Sequence, residues 1–219
     1  MFAAAPAGAT VMGILDVGSS GTVTVTSSTV TFNPSSPADN ITTTAGTNLT
    51  YDASTALGVG VAGVVKNLTG TLPVASFMTF PSVASLVFNL TAVGPGVANT
   101  NCAALVSGQT CSVVAGSPFV LQLVSSPAGV STAATFAVNG SDSDATSMGT
   151  WLGLFTAQIA GMTPAQIQAE IRAGGSSTPV SFSGSFTATA SPIPEPASAL
   201  MVGVGLLGAL ALVRRRRRP

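Results

Sequence analysis

From Gly21 onward, apolar and hydroxyl-bearing residues alternate in short runs, the two-residue period of strands with one face in a core and the other in water. Val23 and Val25 oppose Thr22, Thr24 and Thr26. The alternation resumes out of phase at Val30 and Phe32, as a β-bulge near Ser27 and Ser28 would make it. Further runs are Leu86, Phe88, Leu90 and Ala92, then Phe119, Leu121 and Leu123, then Ala134, Phe136 and Val138. The clearest sets Val180, Phe182, Gly184, Phe186 and Ala188 against Ser181, Ser183, Ser185, Thr187 and Thr189. Breaks at Pro34, Pro37, Pro73, Pro81, Gly94-Pro95-Gly96 and Pro127 separate the runs.

Two stretches read as helical. Thr163-Pro164-Ala165-Gln166 supplies the hydroxyl cap, first-turn proline and third-position glutamine of a capping box; Ile167 and Ile171 then share a face, and Gly174-Gly175 ends the helix. Trp151-Leu152-Gly153-Leu154-Phe155, with Ile159, is expected to form a short amphipathic helix that buries Trp151; an exposed sugar platform at Trp151 is the alternative. The expected fold is mainly β: residues 10–190 as one antiparallel, Greek-key-like β-sandwich with a short helical insertion before its last strand.

After residue 190 the pattern changes. Residues 191–196 are a Pro-rich linker, 197–213 are seventeen apolar or small residues, and Arg214, Arg215, Arg216, Arg217 and Arg218 follow before Pro219. Seventeen helical residues reach about 25 Å, close to the hydrocarbon thickness of about 30 Å. Arginine side chains can snorkel to make up the difference. A soluble core helix gains nothing from five consecutive arginines at one end, so 197–213 is read as a single C-terminal transmembrane helix. Five of the seven basic residues lie in that block, and positive charge beside a span stays cytoplasmic. Residues 214–219 are thus a cytoplasmic tail that stops transfer, with the body outside. A nucleic-acid patch is disfavoured by its place directly after an apolar run. Gly203, Gly205 and Gly208 spell a dinucleotide-binding pattern, but no strand precedes them and the chain ends eleven residues later.

Pro194-Glu195-Pro196, then a short Gly/Leu-rich span and an arginine cluster, resembles the PEP-CTERM sorting signal of exported proteins in many Gram-negative bacteria. The resemblance covers about residues 192–219 and departs only in ending on Pro219. It implies that exosortase, an integral-membrane cysteine transpeptidase, recognises and cleaves at Pro194, Glu195 and Pro196. These residues would be substrate features. The expected course is transient anchoring in the inner membrane through 197–213, then release to the cell surface or extracellular matrix.

Composition agrees with an exported body. Of 219 residues, 46% are hydrophobic and only 6% charged, against about 25% charged in an ordinary soluble domain. Without the tail, Lys66 and Arg172 face Asp16, Asp39, Asp52, Asp142, Asp144 and Glu170, so the body is mildly acidic. Ala3 to Ala9 resembles the small-residue end of a signal peptide, and residues 1–9 are read as a remnant of one. Cys102 and Cys111 are expected to pair after export, the short loop contributing about 2.5 kcal/mol.

Candidate chemistry is sparse. The chain has no histidine, which removes Ser-His and Cys-His catalysis and the commonest metal ligand. The scattered acidic residues give no reason to pair any two as a glycosidase dyad. Asn139-Gly140-Ser141-Asp142-Ser143-Asp144 reads as a solvated turn, with a calcium loop as the alternative. Five Asn-x-Ser/Thr triplets begin at Asn40, Asn48, Asn67, Asn89 and Asn139, about two of which chance composition would supply. No catalytic residue, metal, cofactor or nucleic-acid partner is expected. The leading reading is a non-enzymatic surface or matrix protein; the alternative is an exopolysaccharide-binding module on the same scaffold.

Overall fold

Each long strand has one face that must leave water. In the computed structural model, which describes residues 11–52, 55–127, 129–145 and 147–190, these faces turn into the interior of one closed barrel. In chain order the elements are β1 (Gly13–Ser19), β2 (Thr22–Val25), β3 (Val30–Asn33), β4 (Ile41–Thr43), β5 (Thr50–Tyr51), β6 (Thr55–Ala56), β7 (Ala62–Val65), β8 (Val74–Phe80), β9 (Val83–Val93), β10 (Thr110–Ser112), β11 (Val120–Ser126), β12 (Gly129–Ser143), β13 (Met148–Ala160), α1 (Pro164–Arg172) and β14 (Phe182–Ala190).

Eight strands make the wall in sequence order: β1, β4, β7, β8, β9, β12, β13 and β14, with β14 pairing back onto β1. Every wall pairing is antiparallel. Three hairpins (β2–β3, β5–β6 and β10–β11) and helix α1 are excursions between consecutive wall strands. The Greek-key-like sandwich expected from the pattern is therefore corrected to an up-and-down barrel. Period-two alternation cannot separate the two, because both give strands one wet face. The pairing of β9 with β12, from Val93↔Val138 to Val87↔Ser143, joins the two strands that an open sheet would leave as edges.

β12 makes this closure possible. Its first half pairs with β11, its second half pairs with β9, and β13 follows its other edge from Ser131 to Ser143. The β10–β11 arm therefore peels away from the wall. It encloses a second apolar cluster of Cys102, Cys111, Val113, Leu121, Ile159, Ile167 and Ile171.

The main core is aromatic. Phe155 packs against Phe32, Phe77, Phe136, Phe182 and Phe186, with ring centroids 4.9 to 6.1 Å apart. Each such ring contributes about 1.5–3 kcal/mol by leaving water. Hairpin β2–β3 sends Phe32 in to meet Phe155 and Phe182, so the interior is filled rather than hollow.

Two local expectations are also corrected. Residues 26–29 form a tight turn closing the β2–β3 hairpin, with Thr26 N–H donating to Thr29 O at 3.0 Å, rather than a bulge in one strand. Trp151 to Ile159 lies in strand β13, not in a helix. Leu152 and Leu154 point outward there, hiding the alternation behind an apolar run. Helix α1 is as expected: Thr163 and Gln166 form the reciprocal capping box, Ile167 and Ile171 are buried, and Gly174 has φ +84° just past the end. The alternating runs of the sequence do not include wall strands β1, β4, β7 and β8, and the run at 197–213 lies outside the described residues.

Candidate functional site

Cys111 is on β10 and Cys102 on the loop before it; their sulfurs are bonded and their Cα atoms are 5.4 Å apart. The bridge lies beneath α1, which grips the same loop through polar side chains. The buried Gln168 amide donates to Thr100 O and Val113 O at 2.8 Å each, and to Ser112 O at 3.3 Å. Arg172 adds donations to Val113 O at 3.2 Å and Thr100 O at 3.1 Å. Three carbonyls that would otherwise lose water are thereby satisfied.

Trp151 does not serve as a platform. It is buried on the inner face of β13, with Nε1 donating to Asn89 O at 3.0 Å and Ser141 O at 3.1 Å. Its ring packs against Phe77, Phe88 and Phe186. Every described phenylalanine is buried and Tyr51 is half-buried, so no aromatic face is presented to a sugar among the described residues.

The stretch from Asn139 to Asp144 is not a calcium loop, and only Asp144 belongs to a turn, its N–H donating to Ser147 O at 3.1 Å. Asn139 to Ser143 belongs to β12, where successive side chains leave on opposite faces and cannot converge on one ion. Among the described residues no three His, Cys, Asp or Glu side chains come together as metal ligands.

Asp142, expected only as one residue of that solvated turn or calcium loop, is the most unusual group in the barrel. It faces inward, fully buried, and neither carboxyl oxygen has a hydrogen-bond partner among the described residues. Burial, with the nearby Asp144 charge adding to it, pushes its carboxyl from 3.8 up to about 7. Asp144 accepts from Ser147 N at 2.7 Å and from Asp52 N at 2.9 Å, and Asp52 accepts from Ser85 Oγ at 3.0 Å. These carboxyls link loops at one end of the barrel. They line no cleft.

A cleft of about 640 Å³ among the described residues lies between the β2–β3 turn at Ser27 and Ser28, the Leu68 to Leu72 loop, and the Val114 to Phe119 loop. Its lining holds hydroxyls and apolar groups but no ionisable side chain, so it offers no general acid or base. The sequon asparagines are structural ties. Asn40 is buried and bonded to Pro34 O, Val65 O and Val65 N. Asn48, Asn67, Asn89 and Asn139 accept from Ile14, Phe32, Ser76 and Thr91.

The barrel's last strand ends at Ala190, two residues before the tripartite tail begins. Residues 192–218 match the family model of the PEP-CTERM protein-sorting motif. The PEP-CTERM match covers this C-terminal segment only, and it carries with it export through a membrane-associated signal and processing by exosortase. No curated protein and no solved structure matches the chain. Among the described residues no helix is long and apolar enough to cross a membrane. Pro194, Glu195, Pro196 and Arg214 to Arg218 lie outside them.

Proposed function

We propose that the barrel is the non-enzymatic cargo of its own sorting tail, an exported protein delivered to the cell surface or extracellular matrix. In this reading 197–213 spans the inner membrane and Arg214 to Arg218 hold the carboxyl end in the cytoplasm. Exosortase then cuts at Pro194 to Pro196 on the outer side. The observation that carries it is the PEP-CTERM match at 192–218, joined almost directly to the final wall strand.

Two features of the body support the non-enzymatic part: the chain has no histidine, and the cleft beside the β2–β3 turn has no ionisable lining. The disulfide supports export, since it suits an oxidising compartment. The exopolysaccharide alternative draws no support from the aromatic residues, which are turned into the core.

Intact mass and terminal sequencing of the protein recovered from its native host test this reading. The expected product ends within or beside Pro194-Glu195-Pro196 and contains one disulfide. An uncut chain with all five arginines, from cells that carry exosortase, overturns it.

A further inference from the structure

The wall of a barrel in water should carry polar residues on its outer face. One sector departs from this. Of the nine large apolar side chains exposed among the described residues, five lie in one sector: Met148, Leu152 and Leu154 on β13, Ile14 on β1, and Met12 just before β1. Met12 and Met148 are 52% and 69% exposed. The strand between β13 and β1 is β14, whose outward residues are serines and threonines.

The registers place these side chains together. Leu152 and Ile14 both pair with Thr187, so they flank it at about 4.8 Å on either side. Leu154 pairs with Ser185, one outward row further on. Met12 precedes Gly13, the partner of Ala188, and Met148 precedes Gly149, the partner of Ala190. The patch therefore surrounds the terminal half of the strand from which the sorting tail departs.

The length of that tail limits where this face can be. Residues 191–196 separate Ala190 from the apolar run, and six residues span at most about 20 Å even fully extended. While the tail is anchored, this sector is thus the part of the barrel tethered nearest the lipid. Neither of the body's two basic residues, Lys66 and Arg172, is on β13, β14 or β1, so attraction to anionic headgroups is not what the face offers. Apolar side chains of this kind gain by entering the boundary between headgroups and acyl chains.

The geometry points to the β13–β14–β1 face as a lipid-contacting surface that lays the barrel against the outer leaflet while the sorting tail is still attached. The inference rests on the tail being a membrane anchor. Docking orients the barrel so that the end of β14, and with it the linker bearing Pro194 to Pro196, stays at the membrane surface where a membrane-embedded transpeptidase works.

The two exposed methionines give a direct test. The full-length chain is reconstituted at one copy per phosphatidylcholine nanodisc, and initial rates of sulfoxide formation with hydrogen peroxide are read by peptide mass spectrometry. Met162, half-buried under α1, is the internal reference, and Met78, fully buried, is the negative control. In a bare barrel Met148 outpaces Met162. With the face on lipid, Met12 and Met148 react more slowly than Met162, by about tenfold relative to the bare expectation. An Ile14→Ser, Leu152→Ser double variant, altered only at exposed positions, restores fast oxidation in the same discs.

Fast oxidation of Met12 and Met148 in a chain that alkaline carbonate cannot extract overturns the docking and leaves the sorting reading standing. Extraction by carbonate removes the anchor, and both readings fall. Protection that appears only with several chains per disc assigns the face to a second copy and overturns lipid contact.

Discussion

Asp142 on β12 sits directly across from Gly149 on β13, and its carboxyl fills the space that a side chain there would need: a Cβ at 149 would lie 2.5 Å from Asp142 Oδ1. The acid is thus packed between strands rather than solvated. Its pH behaviour follows from that. With a folded pKa of about 7 against 3.8 when solvated, the folded chain holds a proton that the unfolded chain has released across this interval. Stability from this group is complete below about pH 4 and falls as pH rises through 7, by up to about 1.4 kcal/mol per pH unit. Urea unfolding between about pH 4 and pH 8 reads the slope. Asp142→Asn flattens it, and an unchanged slope in that variant removes Asp142 as the cause.

Barrel closure depends on Gly140. It lies where the β9–β12 register shifts, and a Cβ there would overlap Asn89 O and come within 2.8 Å of Trp151 Nε1. Gly140→Ala should therefore force β9 away from β12 and disturb the indole's two donations, costing about 3 kcal/mol or more. Gly58→Ala is the control, because the nearest atom to a Cβ there is 3.9 Å away. Urea midpoints followed by the fluorescence of the single tryptophan separate the two. Equal midpoints for both variants remove Gly140 from the closure.

The disulfide arm and α1 should behave as one unit. Cys102→Ser with Cys111→Ser loses about 2.5 kcal/mol through loop entropy. Gln168→Ala removes its donations to Thr100 O, Ser112 O and Val113 O while Arg172 still donates to the first and last of these, so the loss should be about 0.5–1.5 kcal/mol. Because both act on the 100–113 loop, their combined effect should fall short of the sum. Hydrogen exchange should rise in α1 and β10 in either variant while β1 and β14 stay protected. A uniform rise across the wall would show that the arm is not a separate unit.

What the sequence made legible was local. The breaks at Pro34, Pro73, Pro81, Gly94 and Pro127 all fall between strands, because a proline cannot donate to a ladder and a turn needs its geometry. The capping box at Thr163 is local as well. Closure was not legible, since Val93 and Val138 are brought together only by the whole wall. β13 was misread because Leu152 and Leu154, turned to solvent, broke the inside-outside contrast on which strand reading relies. Burial of Asp142 was not legible, as its neighbours Ser141 and Ser143 make the stretch look like a polar turn or an oxygen-rich loop. For the sorting motif the position is reversed: its order of proline, apolar run and arginines is written in the sequence, and the described fold adds only where it attaches.

The sequential order of the wall has a consequence for biogenesis. A chain made from its amino end can assemble β1 through β13 as a curled sheet, but that sheet keeps two raw borders, at β1 and β13, until residues 182–190 are delivered to zip them together. The zipping strand is also the one that hands over to the sorting tail. A translation product stopped anywhere short of Phe182 would therefore present two sticky margins and no means of being sorted, whereas the finished chain seals its seam at the moment its exit signal becomes available.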